Sequence, residues 1–250
     1  MTDAYPALAP RFAAAVPACR DLLATAPALA PDLDRIRRGG SGLVGERPAR
    51  FEQEWFPRLD AVAAYLTVRR AKPRRIVEIG SGHSSRFLAQ AIVDGGLGTA
   101  MICVDPQPRA PLAGLPVHHE ARVFGPVDIE DAATLEPGDI LFVDSSHVAS
   151  PGSDVEAVLL HVLPRLPAGV LVHFHDIFLP EAYPEGWHRR RYNEQVAVGA
   201  LLQGGAYAID FASRYVATRT TLLDGSLVAA LPLSPHTFES SLWLRKMSGG

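Results

Sequence analysis

The sequence has little that would tie a fold together from outside. Its two cysteines, Cys19 and Cys103, stand far apart in dissimilar surroundings, so neither a disulfide framework nor a metal-binding spacing can be drawn. Cys103 lies inside an apolar run and reads as a small core residue. An excess of positive charge is also missing. The 24 Lys and Arg against 27 Asp and Glu leave a formal net charge of -3, without the basic field that a phosphate backbone requires. The short clusters Arg69-Arg70, Arg74-Arg75 and Arg189-Arg190-Arg191 are interleaved with acids and read as solvated surface. No basic segment followed by an apolar one opens the chain, and no apolar run approaches the ~20 residues that cross a bilayer. The expectation is a cytoplasmic protein with neither a nucleic-acid nor a membrane partner.

What the sequence does have is apolar residues, 48% of its 250 positions. That suffices for one α/β domain with a substantial core and an appendage. Residues 1–50 are rich in Ala and Pro, carry a helical stretch from Arg11 to Ala24, and end in the glycine-rich Gly39-Gly40-Ser41-Gly42. They read as a helical N-terminal extension, suited to a lid or to the arm of a homodimer, ahead of a domain over 51–250. From Phe51 to Arg70 the positions Trp55, Leu59, Val62, Ala63 and Leu66 recur at helical spacing, and Pro73 ends that helix.

Beyond Pro73 short apolar strands alternate with helices. The pattern predicts strands at Arg75–Ile79, Ala100–Asp105, Val117–Val123, Asp139–Asp144, Gly169–Asp176, Tyr207–Phe211 and Ser241–Leu244. Helices are predicted at Ser84–Val93, capped by Ser84 or Ser85, at Val155–Leu166 and at Asn193–Gln203. Continuous apolar strands separated by helices require a mostly parallel sheet covered on both faces. In such sheets ligands bind beyond the carboxyl ends of the strands, at the switch point. The residues that end the strands, Glu78 with its glycine turn, Asp105, Asp144 and His175-Asp176, are therefore the candidates for chemistry.

The turn reads Glu78-Ile79-Gly80-Ser81-Gly82-His83-Ser84. Two glycines one residue apart permit a tight turn and close approach of a ligand to the backbone. The third glycine of a dinucleotide fingerprint is replaced by Ser85, and an acid at the strand end suits a cationic aminoacyl group better than phosphates. Asp105, 27 residues after Glu78, can accept hydrogen bonds from the two hydroxyls of a ribose. Asp144, His147, His173, His175 and Asp176 gather at neighbouring strand ends, which suits a divalent metal site, a general base, or a structural cluster. The aromatic and proline-rich segment from Phe178 to Glu194, with Tyr183, Trp187, Arg191 and Tyr192, suits the wall of a small-molecule pocket.

The succession Glu78-x-Gly80-x-Gly82, Asp105 and Asp144 resembles the class I S-adenosylmethionine-dependent methyltransferases. Phe142-Val143-Asp144-Ser145-Ser146-His147 and Val172-His173-Phe174-His175-Asp176 resemble a subgroup of bacterial small-molecule (O-)methyltransferases. The likeness spans residues ~50 to 246. It implies a Rossmann-like, doubly wound, seven-stranded sheet with helices on both faces and an antiparallel last strand. It also implies S-adenosylmethionine held by Glu78, Gly80, Ser81, Gly82, Ser84, Asp105 and Asp144. Metal-dependent members of the class place acids after the fourth and fifth strands, which here correspond to Asp144, His175 and Asp176. The histidine departs from that pattern and disfavours Mg²⁺ relative to Mn²⁺, Fe²⁺ or no metal. The expected reaction is methyl transfer to a hydroxyl of a small molecule of natural-product or sugar metabolism, with His175 or His147 as base beside Asp144. Alternatives are another displacement on the bound sulfonium, such as ring closure, and a nicotinamide-dependent oxidoreductase on the same fold.

Overall fold

The computed structural model describes residues 3–39 and 48–248; the glycine-rich positions 40–42 lie outside the described residues. Seven strands form one sheet: β1 (Arg75–Ile79), β2 (Ala100–Val104), β3 (His118–Glu120), β4 (Ile140–Val143), β5 (Leu171–Phe174), β6 (Tyr207–Ala212) and β7 (Leu242–Lys246). Their order is β3-β2-β1-β4-β5-β7-β6. The first five run parallel, and β7 is antiparallel to both β5 and β6. Every predicted strand is present: β1 as predicted, β2 to β5 shorter by one to four residues, and β6 and β7 running one and two residues further.

Among the described residues nine α-helices accompany the sheet: α1 (Ala9–Ala14), α2 (Val16–Leu23), α3 (Ala30–Arg37), α4 (Arg58–Ala71), α5 (His83–Asp94), α6 (Pro126–Ala132), α7 (Asp154–Ala157), α8 (Glu194–Gln203) and α9 (Ser213–Arg219). The helix predicted to continue from Val155 does so beyond α7 as a π turn and a 3-10 turn, reaching Arg165. Side chains alternate between two cores. Ile76, Ile140, Phe142 and Leu171 join α4 and α5 on one face, while Val77, Leu141, Val143 and Val172 meet Val158, Val162 and Val198 on the other. Burial on both faces is why the strands read as unbroken apolar runs.

Two helix boundaries differ from the sequence reading. The helix expected from Phe51 begins only at Arg58, after Pro57 in extended conformation, so Trp55 lies in the preceding loop and is 49% exposed. The single helix expected over Arg11–Ala24 is divided at Ala15 into α1 and α2, with Pro17 at the start of the second. The 29-residue helical run Ala9–Arg37 does contain a window apolar enough for a membrane span, contrary to expectation. Here it is broken into short helices that bury Phe12, Cys19, Leu22, Leu33 and Ile36. Cys19, Leu22, Leu33 and Ile36 share a core with α4, whose residues Leu59 to Val68 are all buried. A helix covered on both sides need not show an amphipathic stripe.

Candidate active site

The parallel ladder extends one rung past the strands, and that rung sets the site. The Gly80 N–H donates to Val104 C=O (3.0 Å), Asp144 N–H to Ile79 C=O (2.9 Å) and His175 N–H to Val143 C=O (2.9 Å). The ends of β1, β2, β4 and β5 are thereby held in register around two cavities.

The first, of about 320 Å³, is lined by Gly80, Ser81, Asp105, Gln107, Phe124 and Ser145, among others. Its floor is the turn after β1. Gly80 has φ +76°, and a Cβ there would lie 1.8 Å from the Asp144 carbonyl oxygen. A side chain at Gly80 would break the β1–β4 crossing, so Gly80→Val is a folding defect as well as a binding one. Asp105 braces the same turn, accepting from Ser81 N–H (2.6 Å) and, on its other oxygen, from Gln107 N–H (2.7 Å). Its carboxylate stands on the cavity wall.

Glu78 does not face this cavity. It is fully buried, and accepts from Ser84 Oγ (2.7 Å), Ser85 Oγ (2.5 Å) and Cys103 Sγ (3.2 Å). Ser84 is thus taken up beneath the turn instead of capping α5 or reaching the cavity. Ser85 does cap, accepting from Gly82 N–H at 2.9 Å. Burial pushes the Glu78 carboxyl up to about 7, against the three hydrogen bonds. A folded pKa above the ordinary 4.5 makes its contribution to stability fully present below that value and lost as pH rises towards 7. Comparing melting temperatures of wild type and Glu78→Gln across this window should show the wild type losing ground as pH rises. Parallel curves would mean that Glu78 does not titrate in the fold.

The second cavity, of about 380 Å³, opens at the end of β5 and is lined by Glu54, Trp55, His175, Asp176, Trp187, Arg190 and Phe238, among others. Of the four wall residues expected, Trp187 lines it, and Arg190 does so in place of Arg191. Arg191 ends the 3-10 turn Glu185–Arg190 in a left-handed conformation and is exposed, whereas Arg190 stacks over Trp187 at 3.9 Å. Tyr183 and Tyr192 stand behind the wall. The Tyr183 hydroxyl accepts from Gln195 N–H (3.3 Å), and the Tyr192 ring packs 4.6 Å from that of His147.

At the back of this cavity lies the expected strand-end cluster. His147 Nε2 is 3.5 Å from Asp144 Oδ1 and 3.7 Å from Asp176 Oδ2. Its Nδ1–H donates to Glu194 Oε2 at 2.9 Å, and its carbonyl accepts the N–H groups of Asn193 and Glu194 at the start of α8. Burial of the ring opposes its charge, but Asp144, Glu194 and Asp176 outweigh burial and hold the imidazole well above its usual value. Burial also pushes Asp144 upward, yet His175, His147 and His173 keep it well below the usual carboxylate range. Glu194, which the sequence reading missed as a partner, is fully buried and raised by that burial. The mutual repulsion of the acids is relieved by an imidazolium between them.

The three side chains proposed as metal ligands do not converge. His175 Nε2–H donates to the Trp55 carbonyl (3.2 Å), and Nδ1 lies 3.4 Å from Ser241 Oγ, so neither ring nitrogen turns a lone pair towards Asp144 and Asp176. Among the described residues no three His, Cys, Asp or Glu side chains form a metal cage. The same contacts engage His175 where a free base was expected. Its pKa, drawn down by burial, is raised overall by Asp144, Asp176 and Asp60. His173, stacked on Phe142 at 3.7 Å, is kept neutral by burial and by His175. Three residues around this cavity adopt left-handed backbone without being glycine: His147 (φ 58°), Asp176 (φ 56°) and His236 (φ 63°). Strain of this kind collects at functional sites.

Residues 77–177, which contain both strand-end motifs, match the sequence model of a methyltransferase domain. No curated protein matches the chain. Among solved structures it is similar to the SAH-bound methyltransferase PaMTH1 of Podospora anserina (18% identity over 76% of this chain and 79% of that one, TM-score 0.44). It is similar also to an O-methyltransferase of Bacillus cereus in complex with SAH (14%, 73% and 78%, TM-score 0.45). A third is TomG of Streptomyces achromogenes, an O-methyltransferase involved in tomaymycin synthesis, in complex with SAM (18%, 74% and 78%, TM-score 0.41). The match to a methyltransferase domain covers the stretch from within β1 to just past β5.

Proposed function

We propose that the protein methylates a hydroxyl of a small aromatic molecule, with Asp176 as the group that receives the hydroxyl proton. The observation that carries this reading is Asp176 itself. It stands on the wall of an aromatic cavity, one carboxylate oxygen 3.6 Å from His175 Nε2 and the other 3.7 Å from His147 Nε2. The flat faces of Trp55, Trp187 and Phe238 suit a planar acceptor. Natural-product metabolism is the context suggested by the resemblance.

S-adenosylmethionine would be held by the Gly80–Gly82 turn and Asp105, and its sulfonium supplies an electrophilic methyl group. The cavity along β1 and β2 fits it, because the turn leaves its backbone open to the cavity and Asp105 supplies an acceptor there. The protein's own work is to orient the acceptor, exclude water and move one proton. Asp176 Oδ2 takes the hydroxyl proton as the oxygen–methyl bond forms, and His147 Nε2 behind it receives that proton in turn when the imidazole is neutral, the form that grows as pH approaches its raised pKa. Glu194 fixes the tautomer by holding the Nδ1 proton. No step runs through a metal ion, since the donor set does not fit one. The expectation of a histidine base is thus carried forward as His147 acting through Asp176.

Incubation with methyl-labelled S-adenosylmethionine and a panel of phenols, with and without EDTA, tests this reading. Label should appear on the phenolic oxygen, undiminished by the chelator. Product without label would favour ring closure. Activity lost to EDTA and restored by Mn²⁺ or Mg²⁺ would overturn the metal-free reading.

A further inference from the structure

The two cavities share a wall. Trp55, in the loop before α4, lines the aromatic cavity, and Arg109, in the loop after β2, lines the cavity at the glycine turn. The Arg109 guanidinium lies 4.1 Å from the centroid of the Trp55 ring. Each partner is anchored by its backbone to the site on its own side. Arg109 N–H donates to Ser81 C=O in the glycine turn (3.0 Å), and Trp55 C=O accepts from His175 Nε2, beside Asp176 (3.2 Å). Trp55 is nonetheless 49% exposed, so the stack on Arg109 is a principal restraint on its indole.

We propose that the Trp55–Arg109 pair is a positioning element through which occupancy of the cofactor cavity completes the acceptor cavity. This rests on reading the cavity at Gly80 and Asp105 as the cofactor's. A molecule filling that cavity restricts Arg109, Arg109 holds the indole, and the indole closes one face of the aromatic cavity. The acceptor therefore binds better after the cofactor than before it. An exposed cation–π contact corresponds to a coupling of about two- to fivefold in affinity.

The chain has three tryptophans, and Trp243 is fully buried. In a Trp187→Phe background, S-adenosylhomocysteine titration therefore reports on Trp55 by emission and acrylamide quenching. The expected result is a blue shift with reduced quenching on binding, abolished by adding Arg109→Ala while calorimetry still detects binding. Binding without any change at Trp55, or with the same change in Arg109→Ala, would overturn the shared-wall proposal and leave the cofactor site intact. Failure of wild type to bind S-adenosylhomocysteine would instead remove the cofactor reading, and this inference with it.

Discussion

His147→Leu should cost about 3–5 kcal/mol of stability, measured by urea denaturation at neutral pH, because it removes the cation from a buried ionic cluster. Asp144, Asp176 and Glu194 would then face one another with nothing between them. The loss should depend on pH in a defined direction. The folded pKa of His147 is raised well above 6.5, so its contribution is fully present below 6.5 and fades as pH rises through the raised value. The gap between wild type and variant should narrow on the alkaline side. A variant as stable as wild type at neutral pH would show that no imidazolium holds the cluster together.

Asp176→Asn should lower kcat by on the order of 10²–10⁴-fold while the melting temperature stays close to that of wild type. Asparagine tolerates the left-handed backbone that Asp176 adopts, at φ 56°, so the fold is spared and only the proton acceptor is lost. A companion measurement separates the acid from the histidine behind it. Only the neutral imidazole can take up the proton, so kcat/KM should rise with pH up to the raised pKa of His147. Glu194→Gln removes one of the anions that raise it, and should move that limb to lower pH. An Asp176→Asn enzyme with wild-type turnover, or a limb unmoved in Glu194→Gln, would dissolve the proposed relay.

The sheet was legible in the sequence because its strands are buried on both faces. Ile140 to Val143 could belong to nothing but a central strand, and the apolar runs of β2, β4 and β5 stop at Asp105, Asp144 and His175-Asp176. That rule placed Asp105, Asp144 and Asp176 at strand ends, where they stand. Contacts made between loops leave no such period. Glu194 meets His147 across 47 positions, and nothing in the local pattern pairs them. Trp55 fits a helical spacing that the chain does not follow, because Pro57 delays the start of α4. Glu78 was assigned by its position at a strand end, and its enclosure by Ser84, Ser85 and Cys103 follows from the three-dimensional turn. Arg190 and Arg191 look alike in a run of three arginines, and only the left-handed residue at 191 decides which of them meets the cavity.

The left-handed residues also mark where this protein can and cannot be made sturdier. A chain tuned for thermal endurance alone would put glycine at 147, 176 and 236, and would surrender the side chains that give the cavity its chemistry. Lys72, the C-terminal cap of α4 at φ 49°, adopts the same unfavourable geometry away from both cavities. Lys72→Gly should therefore raise the melting temperature by an amount corresponding to up to about 1 kcal/mol, with methyl transfer unchanged. Robustness in this molecule is open to improvement at the far end of the sheet, and is already committed to chemistry at the near one.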